Sequence, residues 1–314
     1  MMNHNLRAAA LLTLGMLLFA GEDALIKTLT RELPFSQVLG MIGLAGVLVF
    51  GGLLRLGGGR FWTRDLLAPA VVLRNSGEAV SAVAIVLALG LADLSVTAAI
   101  TQAVPLFITF GAALLLGERV GWRRATAIGL GFVGVLLIVK PGLAGFEPAS
   151  LWAVVAAAGL AARDLATRRV PARMSSPHLS ASAFAAILLG AVLMGLVLGE
   201  TPVPPTAAQT LLALGCVTLT ITGYTLLVAA TRIGEASALA PVRYARLVFA
   251  LILARIVFGE RLDPLTLAGA AIIVGSGCYT LWREARLSRR ASALVPAGTA
   301  PVQPASGASG SRAA

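Results

Sequence analysis

Apolar runs of about 20 residues, broken by short polar turns, recur from the N-terminus almost to the C-terminus. Each is as long as a helix needs to be to cross the hydrocarbon core of a bilayer. The pattern predicts ten spans, at residues 8–29, 37–56, 67–87, 94–116, 124–139, 150–170, 179–198, 208–230, 236–258 and 264–281. Several of the short connections carry helix breakers, as at 57–59, Lys140-Pro141-Gly142 and Pro202-Val203-Pro204-Pro205. Beyond Arg290 the chain turns to Ala, Pro, Ser and Gly, a composition that predicts disorder to Ala314. Arg7 followed by an apolar run imitates a signal peptide. Apolar character resumes after Glu22 and Asp23 and reaches Leu29, so this stretch reads as an uncleaved first helix.

Composition agrees. The hydrophobic fraction is 58% and the charged fraction only 12%, about half that of an ordinary soluble domain. The net charge of +11 would suit nucleic acid, but the arginines sit in short loops and near the C-terminus, where they orient helices instead. No nucleic-acid partner is expected. Cys216 and Cys278 fall inside apolar runs, and His4 and His178 lie near span ends. Neither type is spaced as a disulfide framework or metal site, and no cofactor is expected.

Numbering the loops alternately tests the count of spans. With the N-terminus inside, the inner segments hold Arg7, Arg60, Arg64, Arg119, Arg123, Arg173, Arg232, Arg283, Arg286, Arg289 and Arg290. The outer segments hold Arg31, Lys140 and Arg261. That asymmetry predicts a multi-pass protein of the cytoplasmic (inner) membrane with both termini cytoplasmic.

Two stretches resemble each other at a separation of 142 residues: Asp93 aligns with Glu235, Ser95 with Ser237, and Gly117-Glu118-Arg119 with Gly259-Glu260-Arg261. The first triplet precedes a basic loop and the second precedes Leu-Asp-Pro. Five spans per half is an odd number, so the second half enters the membrane inverted. Inverted repeats recur in secondary transporters, with the binding site between the halves. A duplicated scaffold without a transport path is the alternative. The domain expectation is a first five-helix repeat over 6–142, a second over 149–282, and a tail over 283–314, basic and then disordered.

Charged groups within apolar spans are costly and mark functional candidates. Asp23 and Lys27 stand four apart, as do Arg74 and Glu78, and Arg243 and Arg246 stand three apart. Each spacing puts both residues on one helix face. Each pair serves either the transport path or helix packing. With Glu22, the set holds nearly balanced charge, which suits a zwitterion or a metabolite with an acidic and a polar end. Tyr244 offers an aromatic face, and Asn75, Gln102 and Tyr224 offer hydrogen bonds to a substrate or to a neighbouring helix. Glu22, Asp23 and Glu78 are the candidates for proton coupling. Arg255, near a span end, reads as snorkelling. The stretch Gly21-Glu22-Asp23-Ala24-Leu25-Ile26-Lys27-Thr28 lacks the second glycine of a phosphate loop. With no nucleophile elbow or paired-His motif either, an enzyme is disfavoured against a carrier, a channel or a scaffold.

Residues 98–142 and 236–275, the Lys27 position, and Asp164 followed by Arg168 and Arg169 resemble the EamA group of the drug/metabolite transporter superfamily. The resemblance covers about residues 10–282 and appears twice. It implies an all-α integral membrane fold of ten helices in two repeats, a central cavity, and transport of small organic molecules without ATP. Asp23-Ala24-Leu25-Ile26-Lys27, Leu73-Arg74, Asp164 and Arg243-Tyr244 look like the subset that includes S-adenosylmethionine and riboflavin carriers. Two departures stand out: Ile42 where such relatives carry Arg, and Arg246 where an acid is expected. The simplest account of Arg246 is a pair with Glu22 or Glu78.

Overall fold

A computed structural model describes residues 2–116, 121–143, 145–233, 239 and 241–293. The described residues form helices and no strand. In order they are α1 (Met2–Leu29), α2 (Phe35–Leu56), α3 (Pro69–Leu91), α4 (Leu94–Thr101), α5 (Val104–Leu116), α6 (Trp122–Val139), α7 (Ser150–Thr167), α8 (Ser176–Leu198), α9 (Ala207–Ile233), α10 (Ala245–Val257) and α11 (Pro264–Ala293). Short 3-10 turns at Arg64–Leu67 and Pro241–Tyr244 precede α3 and α10. Among the described residues, seven stretches are long and apolar enough to cross a membrane, α4 and α5 together making one of them. Their outward faces carry Leu48, Leu196, Val197 and Leu211, each at least 67% exposed. Apolar surface on that scale demands a lipid environment.

Helix pairing follows an exchange symmetry. α1 packs along α9 and α3 along α7, while α2 packs on α8, α6 on α11 and α4 on α10. Exchanging the helices of the N-terminal half for their counterparts in the C-terminal half turns the first contact into the second and leaves the other three unchanged. Both exchanged crossings close on glycines. At α3–α7, a Cβ on Gly77 would lie 2.9 Å from the Gly159 carbonyl oxygen, and one on Gly159 would lie 3.0 Å from the Gly77 oxygen. At α1–α9, Gly15 and Gly223 make the same reciprocal approach. Backbone contact of this kind is how membrane helices gain van der Waals energy without a hydrophobic driving force.

The structure corrects three expected boundaries. The fourth span is not one helix: it breaks at Gln102 and Ala103. Pro105 has no N–H to offer the Thr101 carbonyl, so the ladder stops one turn ahead of it and restarts with proline in the first turn of α5. In the ninth span, Leu239 is helical, a 3-10 turn over Pro241–Tyr244 interrupts the α-helix, and it resumes at Ala245. The last helix runs on to Ala293 through the basic stretch, well past the expected end at 281. Gly117-Glu118-Arg119, Glu235, Ala236, Ser237 and residues 294–314 lie outside the described residues.

Candidate functional site

Two Gly-Glu pairs tie the halves together at the bundle end that carries the α1–α2 turn. Gly199 ends α8 at φ 65° and Gly259 follows α10 at φ 67°, left-handed values that cost glycine little. Each turn swings the next residue's carboxylate onto a helix of the other half. Glu200 accepts from the Phe35 and Ser36 amides at 3.2 and 2.8 Å. Glu260 accepts from the Leu94 and Ser95 amides at 2.7 and 3.0 Å, and from Ser95 Oγ at 2.8 Å. These amides are the unsatisfied donors of helix N-termini, where negative charge is favoured. Asp93 occupies the cap position of α4 without bonding it, and burial raises its carboxyl above the ordinary value.

Lys27 completes the corner. Its ammonium donates to the Leu89 carbonyl at 3.2 Å and to that of Ala92, the free acceptors at the end of α3, and lies 3.6 Å from Glu260. The expected Asp23–Lys27 pair therefore does not form. Three donors on Lys27 are used by two carbonyls and a carboxylate, leaving none for Asp23. Lys140 and Asp263 add a 2.7 Å ion pair between the halves at the same end.

Asp23 pairs instead with Arg246, through Nη2 at 2.7 Å to both carboxylate oxygens and Nε at 3.1 Å to one. This corrects the expected partner. Glu22 is held by Thr220 Oγ1 at 2.7 Å, and Glu78 is engaged elsewhere. The forked guanidinium matches a carboxylate oxygen for oxygen. The pair joins α1 of the first half to α10 of the second, with the guanidinium 5.6 Å over the Phe19 ring.

Glu78 lies 3.8 Å from Arg74, as its spacing suggested, and 3.2 Å from Arg163. Arg163 Nε also donates to Asp164 at 2.9 Å. The Gly77–Gly159 contact makes this possible, because it brings α7 close enough for Arg163 to reach one turn across. Arg74 further donates to Asn75 Oδ1 at 3.0 Å and to the Leu179 carbonyl at 3.3 Å, and Ser182 donates to Asn75 at 3.5 Å. Two cations and two anions thus neutralise one another between α3 and α7.

The remaining candidates separate. Gln102 and Tyr244 are mates in the 142-residue register, and each stands at the break of its span. Gln102 Nε2 and the Tyr244 hydroxyl are both buried without a hydrogen-bond partner. Arg243 is exposed on the 3-10 turn, with no acidic partner among the described residues. Tyr224 is 44% exposed and meets Phe50 edge-on. Nothing in the sequence pattern singled out Arg163 or Thr220, and only the Gly-Glu-Arg repeat pointed to Glu260. Among the described residues, no group of three or more His, Cys, Asp or Glu is arranged to hold a metal.

The model of the EamA-like transporter family matches residues 6–140 and 148–282. An S-adenosylmethionine uptake transporter of Rickettsia prowazekii (strain Madrid E) is 29% identical over 196 residues, 62% of this chain and 66% of that protein. The match thus spans slightly less than two thirds of that relative's length. A riboflavin transporter of Rhizobium johnstonii is 42% identical over 59 residues, 19% of this chain and 20% of that protein. One crystal structure superposes with a TM-score of 0.54 at 21% identity, over 90% of this chain and 99% of its own, which speaks for a shared fold. With both repeats matched and the apolar helices in place, this is a multi-pass membrane protein of a family of transporters rather than enzymes. The chain belongs to the EamA-like transporter family.

Proposed function

We propose that the protein is a secondary transporter of ten spans, α4 and α5 forming one, in two inverted repeats over 6–142 and 149–282. The bundle end with Arg60 and Arg64 faces the cytoplasm, where both termini also lie, and the Glu260 end faces outward across the inner membrane. Its cargo is a small organic metabolite, amino-acid-like, zwitterionic or nucleoside- or cofactor-like. The relatives named for S-adenosylmethionine and riboflavin supply the first compounds to test.

The observation that carries this reading is the Asp23–Arg246 pair, a bidentate contact between one helix of each half. A buried pair gains little stability over apolar packing, but it gives a zwitterion two sites at once. A substrate ammonium replaces Arg246 at Asp23 while a substrate carboxylate replaces Asp23 at Arg246. Charge stays balanced as the halves part. The unbonded tips of Gln102 and Tyr244 are candidates for further hydrogen bonds to the substrate. Glu22, held by a hydroxyl instead of a cation, is the candidate for proton coupling. Glu22→Gln then uncouples uptake from an imposed pH gradient and leaves exchange intact; uptake that still follows the gradient would remove Glu22 from that role.

Metabolite profiling of cells with and without the protein selects the compound, and counterflow in proteoliposomes tests it. Saturable uptake stimulated by unlabelled substrate inside is the expected result. Non-saturating flux would mean a channel, and no flux for any accumulated metabolite would favour a scaffold.

A further inference from the structure

A second binding feature lies at the opposite end from Glu260, away from the Asp23–Arg246 pair. After α2 the chain doubles back over its own helix end, and the fold leaves an open trough of about 830 Å³ between them. Val47, Leu48, Gly51 and Gly52 form the wall on α2, and Arg55, Arg60 and Trp62 line the rim. The returning loop is fastened at two points. His178 Nε2 donates to the Phe61 carbonyl at 2.7 Å, and Arg173 grips Asp65 through Nε at 2.9 Å to both oxygens. The Arg173 guanidinium holds the Asp65 carboxyl below its usual range. Asp65 is thereby occupied, and Arg55 and Arg60 have no acidic partner among the described residues. Trp62 is 85% exposed and fixed edge-on against Phe61 at 5.1 Å.

We propose that this trough binds one anionic phospholipid, its phosphate between Arg55 and Arg60 and an acyl chain along Gly51 and Gly52. Three features argue for that occupant. Paired guanidinium groups match phosphate oxygens bidentately. An exposed indole on a rim is the side chain that settles at the headgroup level of a bilayer. The wall below is apolar and lacks side chains where a lipid tail would lie: a Cβ at either Gly51 or Gly52 meets nothing within 4 Å. A soluble acidic partner would satisfy the arginines but not the apolar wall. The site is independent of the substrate path, and vesicle binding reads it whichever way the protein inserts.

The test uses the full chain with Trp122→Phe, Trp152→Phe and Trp282→Phe, which leaves Trp62 as its single tryptophan. It is reconstituted in phosphatidylcholine vesicles in which a minor fraction of the lipid is brominated, either as phosphatidylglycerol or as phosphatidylcholine. Brominated phosphatidylglycerol should quench Trp62 more strongly at equal mole fraction, reflecting enrichment of roughly fivefold per arginine. Arg55→Gln with Arg60→Gln should erase the difference. Gly51→Leu with Gly52→Leu should also erase it by filling the trough, with both charges retained and the helix favoured. Equal quenching by the two lipids in the arginine-intact chain would overturn the proposal, as would a preference surviving either double substitution.

Discussion

Lys27 and Glu260 stand 3.6 Å apart, one holding the carbonyl end of α3 and the other the amide end of α4. A single ion pair thus covers both cut ends of the corner between two helices, each charge at the terminus whose dipole it opposes. Because Lys27 comes from the first half and Glu260 from the second, the same pair holds the halves closed at this end.

Glu260→Ala should therefore be among the more damaging single substitutions. It strands a buried ammonium and bares two amides, a loss of about 3–5 kcal/mol for breaking a buried pair. Glu260→Gln keeps one acceptor and should fall between Ala and wild type in thermal unfolding in detergent. Equal midpoints for all three chains would mean that the corner is held by packing alone.

Gly77→Ala probes how the Arg163–Glu78 contact is made. A methyl there meets the Arg163 amide and the Gly159 oxygen, both at 2.9 Å, and must push α3 from α7 at a cost of about 1–3 kcal/mol. Gly129→Ala, where a Cβ meets nothing within 4 Å, is the control and should be neutral or slightly stabilising. Unfolding midpoints of the two variants decide it; similar losses would contradict the close crossing.

These two cases mark what was legible in the chain. The positions of seven spans followed from apolar length, because lipid imposes length on a helix that crosses it. Arg74–Glu78 followed from helical spacing, because both residues lie on one element. Asp23–Arg246 and Arg163–Glu78 were not legible, because each joins helices of opposite halves that only tertiary packing brings together. Lys27 left Asp23 for the bare carbonyls of α3, which no spacing rule reveals. The break at Gln102 was visible in Pro105, yet the uninterrupted apolar run around it concealed the consequence.

Acid should loosen the Lys140–Asp263 contact. Lys140 and Thr266 hold the Asp263 carboxyl below its ordinary value, so the folded state binds its proton less readily than the unfolded chain. The stabilisation is complete above about pH 4 and fades as pH falls through the lower folded value. The difference in unfolding midpoint between wild type and Asp263→Asn should shrink as pH drops from about 6 to about 2. A gap that widens on acidification would reverse the assignment.

Arg243 separates binding from scaffold. It is exposed and carries no acidic partner among the described residues, so Arg243→Ala should leave the unfolding midpoint unchanged while raising KM about tenfold or more, as for a lost charge-assisted hydrogen bond. Unchanged KM would remove Arg243 from the substrate path.

The most direct measurement is counterflow of the identified metabolite in proteoliposomes bearing Asp23→Asn, Arg246→Gln, or both. If the two side chains hold opposite ends of a zwitterion, each single change should cut saturable uptake by at least about tenfold, the loss of a charged hydrogen bond. The double change should not restore uptake, although it relieves the stranded charge and should recover part of the lost stability. Uptake that returns together with stability in the double variant would make the pair a structural brace and contradict its place in the substrate site.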